Sequence, residues 1–253
     1  MNAATTLEVR NLSLNFGAFQ ALTDVNFSIS PGGVHAFIGP NGAGKTSLFN
    51  CITGLRKPSQ GEILLGGLDI VAMSPQRRVR RGLARSFQVT NIFPELSVAE
   101  NVRLCIQAMR GKSSFNPLPS LRIQAALAEE ARVLLEELGL HPHADRAAAN
   151  LPHGLQRRLE IAMALAADPR VLLLDEPTSG MGVDDLQEMT ELISRLGKTR
   201  TVILIEHNIK LVMSISRDVT VLHRGSVLVS GEPHAVAGHP EVKSAYLGSQ
   251  ASC

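Results

Sequence analysis

Gly39-Pro40-Asn41-Gly42-Ala43-Gly44-Lys45-Thr46-Ser47 carries two glycines five positions apart, followed at once by a lysine and a hydroxyl residue. Val34 to Ile38 before it is a run of strand formers, and Lys45 to Thr53 after it reads as a helix stopped by Gly54. A glycine-rich turn between strand and helix lets backbone N–H groups curl around phosphate oxygens, and the helix N-terminus adds a favourable dipole. Lys45 neutralises the terminal phosphates, and the Thr46 hydroxyl is suited to ligate Mg²⁺. With glycine near 7% of ordinary sequence, an accidental match in such a chain is on the order of one in a hundred. The segment is read as a nucleotide-phosphate cradle formed by Gly39 through Ser47.

Two further strands complete a catalytic centre. Val171 to Leu174 runs straight into Asp175-Glu176. α/β sheets place their ligand chemistry at the C-terminal ends of strands. Asp175 is suited to hold Mg²⁺ through water, and Glu176 to orient and deprotonate an attacking water. Alone, an apolar run followed by acids describes any buried strand meeting solvent; beside the phosphate cradle it gains force. Val202 to Ile205 ends in Glu206-His207. A lone histidine is more often a plain surface or core residue, but His207 after a neighbouring parallel strand is placed to donate to a γ-phosphate.

Around these motifs the chain alternates in character. Leu7–Arg10, Val25–Ile29 and Glu62–Leu65 read as short strands of an N-terminal, partly antiparallel portion. From about Val98 to Ala167 the pattern is helical, with Ser97 and Glu100 forming a capping box. Leu127, Ala131, Leu134, Leu135 and Leu138 make one apolar face that ends at Gly139. Gly111 to Ser120, rich in serine and proline, reads as a loop. Leu186, Met189, Ile193 and Leu196 predict a helix ended by Gly197, and Val219–Leu222 with Val227–Val229 a hairpin around Arg224-Gly225. A mostly parallel sheet interrupted by a helical lobe is the expected architecture.

The 253 residues carry 25 basic and 23 acidic side chains, a formal charge of +2. That balance lacks the concentrated basic face of a nucleic-acid binder. Cys51, Cys105 and Cys253 are scattered and read as reduced thiols. The longest apolar run, Ile161 to Ala167, stops at Asp168, far short of the about 20 residues of a membrane span. Met1 to Arg10 lacks the basic and apolar regions of a signal peptide. A membrane role therefore requires other chains.

With the motifs in this order, the sequence resembles the ATP-binding subunits of ABC transporters along nearly its whole length. Gln88, in Arg85-Ser86-Phe87-Gln88, matches the Q-loop glutamine, which the resemblance implies touches Mg²⁺ and the catalytic water. Phe16 matches the aromatic that stacks on adenine. Leu151-Pro152-His153-Gly154-Leu155 occupies the place of the signature, so Pro152, His153 and Gly154 are implied to face ATP bound to a partner subunit. Pro177 to Gly182 occupies the D-loop and His207 the H-loop. The implied fold is an α/β P-loop ABC ATPase: a mostly parallel core sheet, an N-terminal antiparallel β-subdomain and an inserted helical subdomain. Residues 1–88 and 168–253 would form the ATP-binding core and 89–167 the helical subdomain of a single domain spanning 1–253.

Two departures stand out. Pro152, His153 and Leu155 replace the serine, the first of two adjacent glycines and the glutamine usual in the signature, with Gly154 kept. Without a serine hydroxyl, γ-phosphate contact is left to backbone N–H groups at a helix start, where proline is tolerated. Gly182 stands where the D-loop usually has aspartate. The finer resemblance, in Ala84–Gln88, Asn91–Pro94, Gln156–Ile161, Glu206–Met213 and Val242–Gly248, is to subunits of branched-chain amino-acid importers; the lipopolysaccharide-exporter ATPase shares a similar tail and is the rival. The resemblance implies ATP and Mg²⁺ as cofactors and a second ATPase subunit, identical or paralogous, as partner. It further implies permease subunits and, through them, a substrate-binding protein, with the chain on the cytoplasmic face of the membrane.

The arginines at 77, 78, 80, 81 and 85 form the sharpest charge cluster. A solvated helical face is the first reading and contact with anionic lipid or a permease the second. Ile92, Phe93, Leu96 and Val98 read equally as core or, in the resembled family, as the border of a groove that receives a permease helix. The 8 histidines show no HExxH pairing, and no GxSxG elbow is present. An ABC ATPase acting on DNA or ribosomes would need a coiled-coil insertion or a second cassette. A non-hydrolysing module is opposed by Glu176 and His207.

Overall fold

The computed structural model describes residues 7–86, 92–110 and 121–247. Among these residues, ten strands form two sheets. β1 (Leu7–Phe16) and β2 (Phe19–Ile29) make a hairpin, β1 also pairs with β4 (Gln60–Leu65), and β4 with β5 (Leu68–Asp69), all antiparallel. β1 and β2 are longer than their apolar cores predict. Asn11, at φ 48°, makes a bulge that shifts the register between Val9 and Leu12, so the alternation breaks in sequence while the strand continues.

The second sheet contains β3 (Val34–Ile38), β6 (Leu83–Arg85), β7 (Val171–Asp175), β8 (Thr201–Ile205), β9 (Asp218–His223) and β10 (Ser226–Gly231), in the order β10-β9-β3-β8-β7-β6. All pairs are parallel except β9–β10. That last hairpin turns on Arg224 and Gly225, both at positive φ, as a two-residue turn between right-twisted strands requires. Both faces of the sheet are buried at β7 and β8, which explains why these strands read as continuous apolar runs. Alternate residues serve two cores. Leu172, Leu174, Val202 and Leu204 join the core of the helical lobe, while Val171, Leu173, Ile203 and Ile205 join that beneath the antiparallel sheet.

The helices are α1 (Lys45–Thr53), α2 (Pro75–Arg80), α3 (Val98–Met109), α4 (Leu121–Glu137), α5 (His153–Leu165), α6 (Val183–Gly197), α7 (Ile209–Ile215), α8 (Pro233–Gly238) and α9 (Pro240–Leu247). Ser97 caps α3 by accepting from the Glu100 N–H, but the Glu100 carboxylate turns to Arg103. Leu127, Ala131 and Leu135 are buried along α4 as their spacing predicts, with Leu138 buried just past its end and Gly139 following at φ 69°. Gly197 does not terminate α6; it is its last helical residue, and a Cβ there would lie 2.9 Å from Val34 Cγ2. Close packing against β3, not a left-handed turn, demands that glycine. The Gly111 to Ser120 loop reading lies outside the described residues. No helix among those described is long and apolar enough to cross a membrane.

The arginine cluster is not one solvated face. Arg77, Arg80 and Arg81 are exposed, but Arg78 is 1% exposed. It donates to the carbonyls of Cys51 and Ile52 at the end of α1, and to those of Val71 and Met73. A helix C-terminus carries unsatisfied carbonyls and a negative dipole end, and a buried guanidinium answers both. Arg85 is also internal, held against Asp175.

Candidate nucleotide site

The order β3-β8-β7 in the parallel sheet sets three strand ends side by side. Ile38 leads into Gly39, Asp175 lies opposite Ile205, and Ile205 leads into Glu206-His207. Motifs far apart in sequence, from Gly39 to His207, thus converge at the C-terminal ends of adjacent parallel strands.

The cradle from Gly39 to Ser47 needs its glycines. Gly39 has φ 152°, and a Cβ there would lie 2.2 Å from the Leu222 carbonyl oxygen. Gly44, at φ 101°, starts α1, and a Cβ would lie 2.9 Å from the Ala21 carbonyl oxygen. Pro40, Asn41 and Gly42 form the outer rim, with Ala43 buried beneath. Lys45 is buried and its ammonium donates to the Gly39 and Pro40 carbonyls at 2.7 and 3.1 Å. Burial lowers its pKa, opposed by the nearby charges of Glu176 and Asp175. Thr46 is exposed and Ser47 half-buried at the start of α1.

Asp175 is buried at the end of β7. Arg85 Nη2 holds its Oδ2 at 2.6 Å, and Oδ1 is buried without a hydrogen-bond partner. Burial raises the Asp175 pKa, with Arg85 beside it pulling the other way. A buried carboxylate oxygen with no donor is the observation that fits a hard cation, which binds oxygen ligands.

Glu176 has φ 48°, a strained conformation for a residue with a Cβ. It is pinned by its N–H donating to the Ile205 carbonyl at 2.9 Å. Its Oε1 lies 2.8 Å from His207 Nε2. The residue that sequence reasoning passed over is Glu206. It is 4% exposed and accepts from the Thr178 N–H and hydroxyl at 3.0 and 2.5 Å and from the His207 N–H at 3.0 Å. Its carboxylate ties the segment after Glu176 to the one carrying His207. The available signal was a second carboxylate at a strand's C-terminal end, beside the histidine.

The remaining expected residues fall elsewhere. Phe16 ends β1, half-exposed, with the Arg56 guanidinium 5.7 Å from its ring centroid. Pro152 precedes α5 and no side chain caps that helix. Pro152 and His153 are exposed, while Gly154 is buried so tightly that a Cβ would meet the Asp185 carboxyl carbon at 2.8 Å. A Cβ on Gly180 would lie 3.6 Å from the His153 ring, so the signature segment packs on the D-loop of its own chain. Gln88 lies outside the described residues.

Comparison with known proteins gives concordant matches. The family model described as ABC transporter matches residues 22–179. The chain is 40% identical over 248 residues to the high-affinity branched-chain amino acid transport ATP-binding protein LivG of Escherichia coli (strain K12), covering 96% of this chain and 97% of that protein. It is 34% identical over 245 residues to the lipopolysaccharide export system ATP-binding protein LptB of Acidithiobacillus ferridurans, with 96% and 97% covered. Among solved structures, an ATP-binding cassette of an ABC transporter in its ADP conformation superposes with a TM-score of 0.84 at 30% identity, covering 97% of this chain and 100% of that one.

Proposed function

The chain belongs to the ABC transporter family as one of its nucleotide-binding ATPases, and from that premise we propose that it powers import of branched-chain amino acids or related small polar solutes. The observation that carries the ATPase chemistry is the meeting of Lys45, Asp175, Glu176 and His207 at one sheet edge. The importer reading is supported by 40% identity to the branched-chain amino acid transport protein against 34% to the lipopolysaccharide export protein, over equal shares of the chain.

Thr46 and Asp175 would hold Mg²⁺, with Gln88 joining them by resemblance. When bound, the cation neutralises charge on the β- and γ-phosphates. The residues of the chain do the rest. Lys45 exchanges the Gly39 and Pro40 carbonyls for phosphate oxygens, a swap its three ammonium donors allow. Glu176 accepts a proton from the attacking water, its backbone fixed against Ile205. His207, which holds Glu176 in this state, donates to the γ-phosphate and leaves that carboxylate to the water. Phe16 offers its exposed ring to adenine.

Hydrolysis drives separate membrane subunits. Two ATPase subunits, identical or paralogous, would sandwich two ATP molecules, each Pro152–Gly154 segment facing the partner's nucleotide. A cavity of about 320 Å³ lies between α2, α3 and α5, lined by Val79, Leu83, Ala108, Met109, Met163 and Ala164 among others. Its apolar lining supports docking of a permease helix on the cytoplasmic face of the membrane. Residues 1–88 and 168–253 act as the ATP-binding core and 89–167 as the lobe that moves with the permease.

Glu176→Gln tests the chemistry. Removing the base should lower Mg²⁺-dependent ATP turnover by roughly 100-fold or more, with nucleotide binding retained. Turnover equal to the parent overturns the assignment. Neighbouring genes for a substrate-binding protein and two permeases select import; genes for lipid-export machinery overturn it.

A further inference from the structure

Arg85 ends β6, and its guanidinium forks between two other elements. Nη2 donates to Asp175 Oδ2 on β7 at 2.6 Å, and Nη1 donates to Asn50 Oδ1 on α1 at 2.7 Å. Its carbon Cζ lies 5.8 Å from the centroid of the Phe49 ring. The side chain is 7% exposed and that of Asp175 0%. A lysine at this position would supply a charge but not the planar fork that reaches two acceptors at fixed spacing. The element touched by Nη1 is the helix that begins with Lys45 and Thr46; the element touched by Nη2 ends in Asp175. One guanidinium therefore ties together the two elements that carry Thr46 and Asp175.

We propose that Arg85 is the positioning residue of the cation site: braced by Asn50, it holds Asp175 through Oδ2 and leaves Oδ1 free for the Mg²⁺ shell. The proposal rests on the reading that Asp175 holds Mg²⁺. A carboxylate torsion is broad, so an unheld Asp175 would not keep an oxygen aimed in one direction. A buried ion pair is poor evidence of a gain in stability, because desolvation offsets the attraction. A partner outside the ligand set that orients a metal ligand has a measurable effect of its own, on metal affinity.

The experiment measures Mn²⁺ binding by electron paramagnetic resonance, with the full chain and a non-hydrolysable ATP analogue. Analogue binding without metal and a circular-dichroism melt are recorded for each variant. Asp175→Asn should abolish tight Mn²⁺ binding. Arg85→Gln should weaken Mn²⁺ binding roughly tenfold or more, with metal-free analogue affinity unchanged. Asn50→Ala should weaken it in the same direction by a smaller factor, and Arg85→Lys should recover part of the Arg85→Gln loss. Where Arg85→Gln does not fold, Asn50→Ala, at a half-buried position, carries the test. Parent-like Mn²⁺ affinity in the variant that carries the test, with affinity lost in Asp175→Asn, overturns the role of Arg85 and leaves Asp175 as ligand. Parent-like affinity in Asp175→Asn overturns the ligand reading itself, and the role of Arg85 with it.

Discussion

His35 lies inside β3, 4% exposed, with Nε2 2.9 Å from the Thr220 hydroxyl. Burial pushes its pKa down to about 4, with Asp218 opposing and Arg217 assisting. An unfolded histidine titrates near 6.5, so the unfolded chain takes up this proton first. The stability contributed by a neutral His35 is complete above about pH 6.5 and is lost as the pH falls toward about 4, by on the order of 3 kcal/mol. Melting temperatures of the parent and of His35→Leu, recorded from pH 7 to about pH 4.5, should show the steeper fall in the parent. Parallel curves would mean that His35 is not the titrating group. The same scale shows where residue types speak for themselves. Gly39 and Lys45 were legible because phosphate binding restricts both to one residue type, whereas Glu206 was not, because a carboxylate that accepts backbone N–H groups looks in sequence like any surface acid.

Arg78 shows the same limit for an element. Within α2 its letters match those of Arg77 and Arg80, yet it alone turns inward and closes the C-terminal end of α1. Arg78→Gln should strip donors from the carbonyls of Cys51, Ile52, Val71 and Met73 and cost about 3 kcal/mol or more, since a buried unsatisfied polar group costs about 1–3 kcal/mol. Arg77→Gln and Arg81→Gln, at exposed sites, should stay within about 0.5 kcal/mol of the parent. Urea unfolding separates the two cases; equal effects at all three positions would refute the inward assignment. Asn101 does similar service for α3. It is fully buried, accepts from the Phe93 N–H at 2.7 Å and donates to the Phe93 and Ser97 carbonyls. That bracing fixes the turn before α3, where Val98 enters the core, Ile92 packs against it and Phe93 stays 48% exposed. The stretch thus passes from the exposed Phe93 to the fully buried Val98.

At the scale of the molecule, the proposed two-subunit sandwich would make this nucleotide site one half of an arrangement. The signature segment packs on its own D-loop, with Pro152 and His153 exposed, and the second subunit is what would bring it to a phosphate. A hydrogen bond to a charged group contributes about 1.5–3 kcal/mol. Pro152→Ser, which restores a hydroxyl at the start of α5, should therefore tighten ATP-dependent dimerisation by about tenfold or more. His153→Ala should weaken it. Sedimentation equilibrium in a Glu176→Gln background, where turnover is blocked, gives the constant. If both substitutions leave it unchanged, these residues do not meet the partner's nucleotide.

The sequence by itself determined the family, the strands β3, β7 and β8, helix α1 to its last residue, and the chemical identity of Lys45, Asp175, Glu176 and His207. Each of these is local: a phosphate turn, a buried apolar strand and a carboxylate at a strand end are written within a few consecutive residues. Only the tertiary structure decided which arginines are inside, that Gly197 serves packing, that Glu206 joins two loops, and that Arg85 reaches Asp175. Those outcomes depend on partners 27 residues away for Arg78 and Cys51, 28 for Thr178 and Glu206, and 90 for Arg85 and Asp175. A side chain's fate in such cases is set by which backbone carbonyls or carboxylates the sheet order and helix packing bring within about 3 Å, and no local pattern encodes that.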